Sequence, residues 1–235
     1  MRQPLTIAAA QPVCAPRDVA ANAAAHAAAV RAARARVVVF PEMSLTGYGL
    51  DAPAVAADDP RLRPLAEACA DTGSLALAGA PVPADNGGGE HIAMLAVDGS
   101  AVRVAYRKMW LGGDEPDRFT PGDRPGVLDV DGWRLGLAIC KDTGVPRHAA
   151  DTAALGADVY VAGVLEHDRD ARVIERRVSR VTADHRLYVV VASFAGAGGG
   201  GYARAAGGSR ICGPDGGVIA LAGTEPGGLV RAALA

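Results

Sequence analysis

Trp133-Arg134-Leu135-Gly136-Leu137-Ala138-Ile139-Cys140-Lys141-Asp142 is the stretch on which the reading of the chain turns. Leu135 to Ile139 is an apolar run as long as a buried strand and too short for most helices. It breaks off at a cysteine followed by two charged residues. Pro146 to Leu155, rich in Ala, reads as a helix returning over the sheet, and Ala157 to Val164 as the next strand. In a twisted open sheet, ligands gather beyond the carboxyl ends of the strands, where Cys140 lies. A strand-to-helix corner also leaves a cysteine partly exposed near a helix N-terminus, two conditions that favour the thiolate. The competing reading is a small buried hydrophobe.

Two further corners lie upstream. Arg36 to Phe40 is a β-branched run, hence a buried strand, and it stops at Pro41-Glu42. A glutamate at such a place is by default solvated. The loop Thr46-Gly47-Tyr48-Gly49 beyond it is placed to wall a pocket. Ile92 to Val97 and Ala101 to Tyr106 flank Asp98-Gly99, a two-residue hairpin signal, and the second strand exits at Lys108. A lysine there is by default a solvated edge guard. Asp131-Gly132 marks another hairpin leading into the Cys140 strand.

The rest of the chain fills in an alternation of strands and helices. Leu5 to Ala10 reads as a strand and Ala20 to Ala35 as an Ala-rich helix ending in arginines, which suit the macrodipole. His26 is a surface or packing residue on that helix. Pro60 to Thr72 is helical with Cys69 on its apolar side, and Leu75 to Ala80 is a strand. Pro81 to Glu90 reads as a flexible connection. Asp168 to His185 is helical and Leu187 to Phe194 a strand. A glycine-rich loop follows, then strands near Val218–Ala222 and Leu229–Ala233.

With 235 residues, half of them apolar, the chain fits one α/β domain over positions 1–235. Twenty-four Lys and Arg against 26 Asp and Glu give a net charge of −2, which offers no attraction to nucleic acid or an anionic membrane. The first residues carry too short an apolar run for a signal peptide, and no stretch approaches about 18 apolar residues. Four separated cysteines with neither CxxC nor paired histidines fit a reduced cytoplasmic protein, without disulfides or a metal site.

The three corners, in order, resemble blocks of the nitrilase superfamily of carbon–nitrogen hydrolases. Val37-Val38-Val39-Phe40-Pro41-Glu42 with Gly47-Tyr48 is similar to the family's glutamate block. Tyr106-Arg107-Lys108-x-x-Leu111, then Glu115, Phe119 and Pro121-Gly122, is similar to its lysine block. Gly136 to Cys140-x-Asp142, then Pro146 and Leu155-Gly156-Ala157-Asp158, is similar to its cysteine block. Gly208-Ser209-Arg210 with Pro214-Asp215-Gly216 resembles a late segment. The resemblance spans nearly the whole chain. It implies an α-β-β-α sandwich of two packed mixed sheets, assembled as a homodimer. It further implies Cys140 as nucleophile, Glu42 as general base and acid, Lys108 as stabiliser of the tetrahedral intermediate, and Glu115 as a supporting glutamate. Tyr48, Trp110, Lys141 and Asp142 are the expected substrate-binding residues. No cofactor and no metal are expected.

These residue types suit the chemistry independently of the family. A thiol attacking an amide or nitrile carbon needs a base that returns the proton to the departing nitrogen. An ammonium and the Lys141 backbone N–H would balance the charge of the intermediate. Asp142 after Cys140-x resembles the amidase-like members of that family, and this resemblance implies amides over nitriles. A small amide cleaved through a cysteine thioester is therefore the expected reaction, with a nitrile or an N-carbamoyl amide as the alternative substrate. Lys141 and Arg147, where related chains carry an aromatic and a glutamate, point to a carboxylate-bearing amide or to plain surface charge. Two readings of another class remain: a non-catalytic protein, and a dinucleotide-binding domain built on Gly196-Ala197-Gly198-Gly199-Gly200-Gly201, whose motif requires a following helix.

Overall fold

The computed structural model describes residues 2–85 and 87–235; Met1, at the terminus, and Asn86, in the Pro81–Glu90 connection, lie outside the described residues. In chain order the elements are β1 (Leu5–Gln11), α1 (Val19–Ala33), β2 (Val37–Val39), α2 (Arg63–Thr72), β3 (Leu75–Pro83), β4 (Glu90–Val97), β5 (Val102–Arg107), β6 (Gly126–Val130), β7 (Trp133–Ile139), α3 (Pro146–Ala154), β8 (Val159–Val164), α4 (Ala171–His185), β9 (Tyr188–Ser193), β10 (Ala195–Gly196), β11 (Ala205–Ala206), β12 (Arg210–Cys212), β13 (Val218–Leu221) and β14 (Gly228–Leu234).

The strands form two six-stranded sheets, ordered β14-β1-β2-β3-β4-β5 and β13-β12-β9-β8-β7-β6, and a two-stranded ribbon, β10-β11. Each sheet has three parallel strands at its centre, β1-β2-β3 and β7-β8-β9, joined by helical crossovers. Antiparallel strands complete both edges.

Side-chain alternation sorts the apolar residues into three layers. Along β1, Ile7 and Ala9 face the other sheet, while Ala8 and Ala10 face α1. Along β7, Leu135, Leu137 and Ile139 join the inter-sheet core and Ala138 packs beneath α3 and α4. The parallel strands are therefore buried on both faces, which is why they read as continuous apolar runs. Three core layers between four structural layers make the α-β-β-α sandwich.

Several local features depart from expectation. β3 and β4 extend into the Pro81–Glu90 segment, pairing as far as Pro83 with Glu90. The β4–β5 turn is centred on Gly99 and Ser100, one residue later than Asp98-Gly99, because the Asp98 carboxylate accepts from the Ser100 and Ala101 N–H groups. At Asp131-Gly132 both residues have positive φ, 51° and 82°, as a two-residue type I′ hairpin requires. His26 is wholly buried: it stacks on Phe40 and lies 2.8 Å from the Ser44 hydroxyl. No helix among the described residues is long and apolar enough to cross a membrane.

Candidate active site

The residues that follow β2 and β7, one strand in each sheet, come to a single cavity at the inter-sheet seam. Beyond β2 the backbone carrying Glu42 runs through a slot between β3 and β8. A Cβ on Gly79 would come within 2.4 Å of Met43 N, and one on Gly163 within 2.6 Å of Phe40 O. Only residues without side chains admit the turn at this depth. Glu42 is consequently buried rather than solvated, and so is Lys108, with 2% and 1% of their surface exposed.

Lys108 Nζ donates to Glu42 Oε1 at 2.7 Å and to both oxygens of Glu115 at 2.8 Å. Glu115 also accepts from the Tyr48 hydroxyl and the Gly112 N–H, each at 2.8 Å, so its oxygens are well satisfied. Glu42 has fewer donors. Burial pushes its pKa up to about 7; Lys108 opposes the rise and the Glu115 charge adds to it. For Lys108, burial disfavours the charge, but Glu42, Cys140 and Glu115 outweigh it and hold the ammonium protonated well above its ordinary range. The cluster thus pairs a permanent cation with a carboxylate poised near neutrality.

Cys140 opens a 3₁₀ turn, Cys140–Gly144, at φ +40°, a strained value for a residue with a side chain. Its Sγ lies 3.4 Å from Leu165 O and 4.0 Å from Glu166 Oε1. Proximity to a helical turn does not make it a thiolate. Burial raises its pKa, the Glu42 charge raises it further, and Lys108 compensates only partly. The resting thiol is protonated and needs a base, contrary to the expectation from its corner position.

Glu42, Lys108, Glu115, Cys140, Tyr48 and Lys141 line one cavity of about 330 Å³. Trp110 and Asp142 do not. The Asp142 carboxylate is turned away and held by the Ile139 and Trp110 N–H groups and the Tyr106 hydroxyl, at 2.7–2.9 Å. Trp110 packs edge-on against His148. Both residues support the Cys140 turn, the elbow, rather than face the cavity: successive residues of a 3₁₀ turn point about 120° apart, which turns Asp142 away from Cys140, and Trp110 is tied to that carboxylate through its N–H. Lys141 Nζ donates to Leu111 O, and Arg147 pairs with Asp151 on the exposed face of α3, outside the cavity. The glycine-rich segment leads into β11 with no helix, and Gly200 closes over the cavity beside Tyr48.

The cavity also contains Glu166, Arg177 and Tyr202, which sequence reasoning did not select. Glu166 had a signal: it ends the run Val159 to Leu165 as Glu42 ends its own. Arg177 on α4 and Tyr202 among the glycines carry no mark in spacing.

The family model for carbon-nitrogen hydrolases matches residues 6–235. A Pseudomonas protegens protein described as "Hydrolase in pqqF 5'region" is 34% identical over 227 residues, covering 90% of this chain and 77% of its own. Nit3 of Saccharomyces cerevisiae, a member of branch 10 of the nitrilase superfamily, superposes with a TM-score of 0.88 at 20% identity, over 99% of this chain and 90% of Nit3. A cysteine-to-alanine mutant of the amidase from Nesterenkonia sp. AN1, in complex with butyramide, gives a TM-score of 0.86 at 25% identity, over 98% and 90% of the two chains. Two packed mixed sheets, a buried Glu-Lys-Glu cluster beside a cysteine and a family match over almost the whole length agree: this chain belongs to the carbon-nitrogen hydrolase family, on its amidase-like side.

Proposed function

We propose that the protein hydrolyses a small amide through a Cys140 thioester. The observation that carries this reading is the buried Lys108 ammonium, shared between Glu42 and Glu115, on the cavity that contains the Cys140 thiol. Glu42 takes the thiol proton as sulfur bonds to the carbonyl carbon. The oxygen becomes an oxyanion facing Lys108 and the Lys141 backbone N–H, whose position at the start of a helical turn leaves it without an intrahelical acceptor. Glu42 returns the proton to nitrogen, the C–N bond breaks, and ammonia or an amine leaves. Water then attacks the thioester with Glu42 again as base, releasing the carboxylic acid and restoring the thiol. Glu115 holds the ammonium in place.

The butyramide bound by the Nesterenkonia amidase supports an amide of similar size, which a cavity of about 330 Å³ accommodates. Intact-protein mass spectrometry with matched amides and nitriles, together with ammonia release, tests the reading. The expected result is ammonia from amides and an acyl mass increment mapped to Cys140. An increment on another residue, or turnover of nitriles alone, overturns it.

A further inference from the structure

We propose that Glu166, held by Arg177, selects amides whose acyl half carries a protonated amine on the carbon next to the carbonyl. This rests on the amide-hydrolase reading and names its substrate class. Glu166 is not needed for the proton transfers assigned to Glu42, yet its Oε1 lies 4.0 Å from the nucleophilic sulfur. Arg177 donates to that oxygen at 2.6 Å. The same guanidinium reaches Thr143 Oγ1 at 3.3 Å and Cys140 O at 3.5 Å, which fixes the pair to the elbow. Gly144 makes room for it, since a Cβ there would lie 3.2 Å from Arg177 Nε. Glu166 Oε2 has no hydrogen-bond partner among the described residues. It is a pre-positioned acceptor on the cavity wall.

Geometry indicates what it accepts. Sulfur attacks a carbonyl carbon from about 3–3.5 Å. That carbon's oxygen must face Lys108 and its nitrogen must reach Glu42, so the acyl α-carbon takes the remaining direction. A donor on the α-carbon then comes within reach of a carboxylate standing beside the sulfur. Charge makes the same choice. Four carboxylates and three cations line the cavity. Two of these cations are paired with carboxylates, Lys108 with Glu42 and Glu115 and Arg177 with Glu166, while Lys141 donates one N–H to Leu111 O. An ammonium adds a cation to a wall with one carboxylate in excess; an acyl carboxylate placed beside Glu166 meets like charge there, and Arg177 is already committed to Glu166. The carboxylate-bearing amide anticipated from Lys141 and Arg147 is thereby disfavoured.

The test compares kcat/KM at pH 7 for alaninamide, isobutyramide (a methyl in place of the ammonium) and succinamate (a carboxylate). A charge-assisted hydrogen bond predicts a preference of about 10- to 100-fold for alaninamide over isobutyramide, with succinamate poorest. Glu166→Gln reduces the alaninamide-to-isobutyramide ratio at least about fivefold and Glu166→Asp restores part of it. Wild type supplies an arm independent of any variant's folding. Its ratio falls as pH rises past the substrate amine's own pKa, at about 8. A wild-type ratio of one or below, or an unchanged ratio in Glu166→Gln, overturns the selectivity. Turnover of isobutyramide without preference leaves the hydrolase reading standing. No turnover and no Cys140 adduct with any of the three overturns both.

Discussion

Two buried polar clusters flank the Cys140 elbow, and they differ in how completely their groups are satisfied. On the cavity side, Lys108 is shared by two carboxylates, and Glu42 retains spare acceptor capacity and a pKa pushed up to about 7 by burial. On the far side, Asp142 accepts from Ile139 N, Trp110 N and the Tyr106 hydroxyl. That hydroxyl lies 2.9 Å from His148 Nε2, and His148 Nδ1 lies 2.7 Å from the Tyr160 hydroxyl. Burial lowers the His148 pKa to about 4, so the imidazole is neutral and bridges two hydroxyls without a net charge. One cluster opens on a cavity with capacity unused; the other is closed and saturated. Burial of polar groups alone therefore does not identify a reactive site. Incomplete satisfaction beside the thiol proposed as nucleophile is what supports the reactive reading of the cavity side.

The sharpest separation comes from isosteric changes. Glu42→Gln retains an acceptor for Lys108 but removes the proposed base, and the amide-hydrolysis rate should fall by about 10²- to 10⁴-fold. Its melting temperature should stay level or rise, because one of two carboxylates crowded into low dielectric is neutralised. A large loss of stability with modest loss of rate would instead make the cavity cluster a structural device. The pH profile gives the next effect. A base with a raised pKa is protonated, and idle, below that value. Wild-type kcat/KM should therefore drop about tenfold per unit as pH falls below about 7, and the limb should vanish in Glu42→Gln. A profile flat down to pH 5 would break the assignment.

Asp142→Ala inverts the pattern. It leaves the buried Ile139 N–H without its acceptor and removes another from Trp110, each orphan costing about 1–3 kcal/mol. In a chain of this length each kcal/mol lowers the melting temperature by about 2–4 °C. Activity should fall by only about tenfold, through loosening of the elbow. Thermal unfolding and kcat measured together separate this from the Glu42 result.

The sequence announced the cavity cluster more plainly than the closed one. Glu42, Lys108 and Cys140 each interrupt or follow an apolar run, and a polar residue ending a buried strand is conspicuous. Asp142 was legible as a residue near Cys140 but not in its orientation, which the rotation of the 3₁₀ turn decides. His148 and Tyr160 lie in a helix and a strand whose patterns mark them only as inward-facing. Gly79 and Gly163 look like ordinary strand glycines until the opposite sheet presses the Glu42 turn between them. The state of the Cys140 thiol was misread for a related reason: the corner leaves it partly exposed, as expected, but the packing of two sheets desolvates it and sets a carboxylate beside it that opposes the thiolate.

The smallest effect tests the closed cluster at its outermost member. Tyr160→Phe removes one hydroxyl and leaves every apolar contact of a ring buried among the residues beneath α3 and α4. His148 Nδ1 then loses a partner 2.7 Å away, while its Nε2 keeps the Tyr106 hydroxyl. A neutral hydrogen bond of this kind contributes about 1 kcal/mol, so the melting temperature should fall by about 2–4 °C. Two bonded links, His148 and Tyr106, still separate the change from Asp142, whose acceptors to Ile139 and Trp110 are untouched. kcat should therefore stay within about twofold of wild type. A drop in kcat larger than that would mean the far-side chain tunes the elbow electrostatically, and the division between a reactive cluster and a holding one would no longer stand.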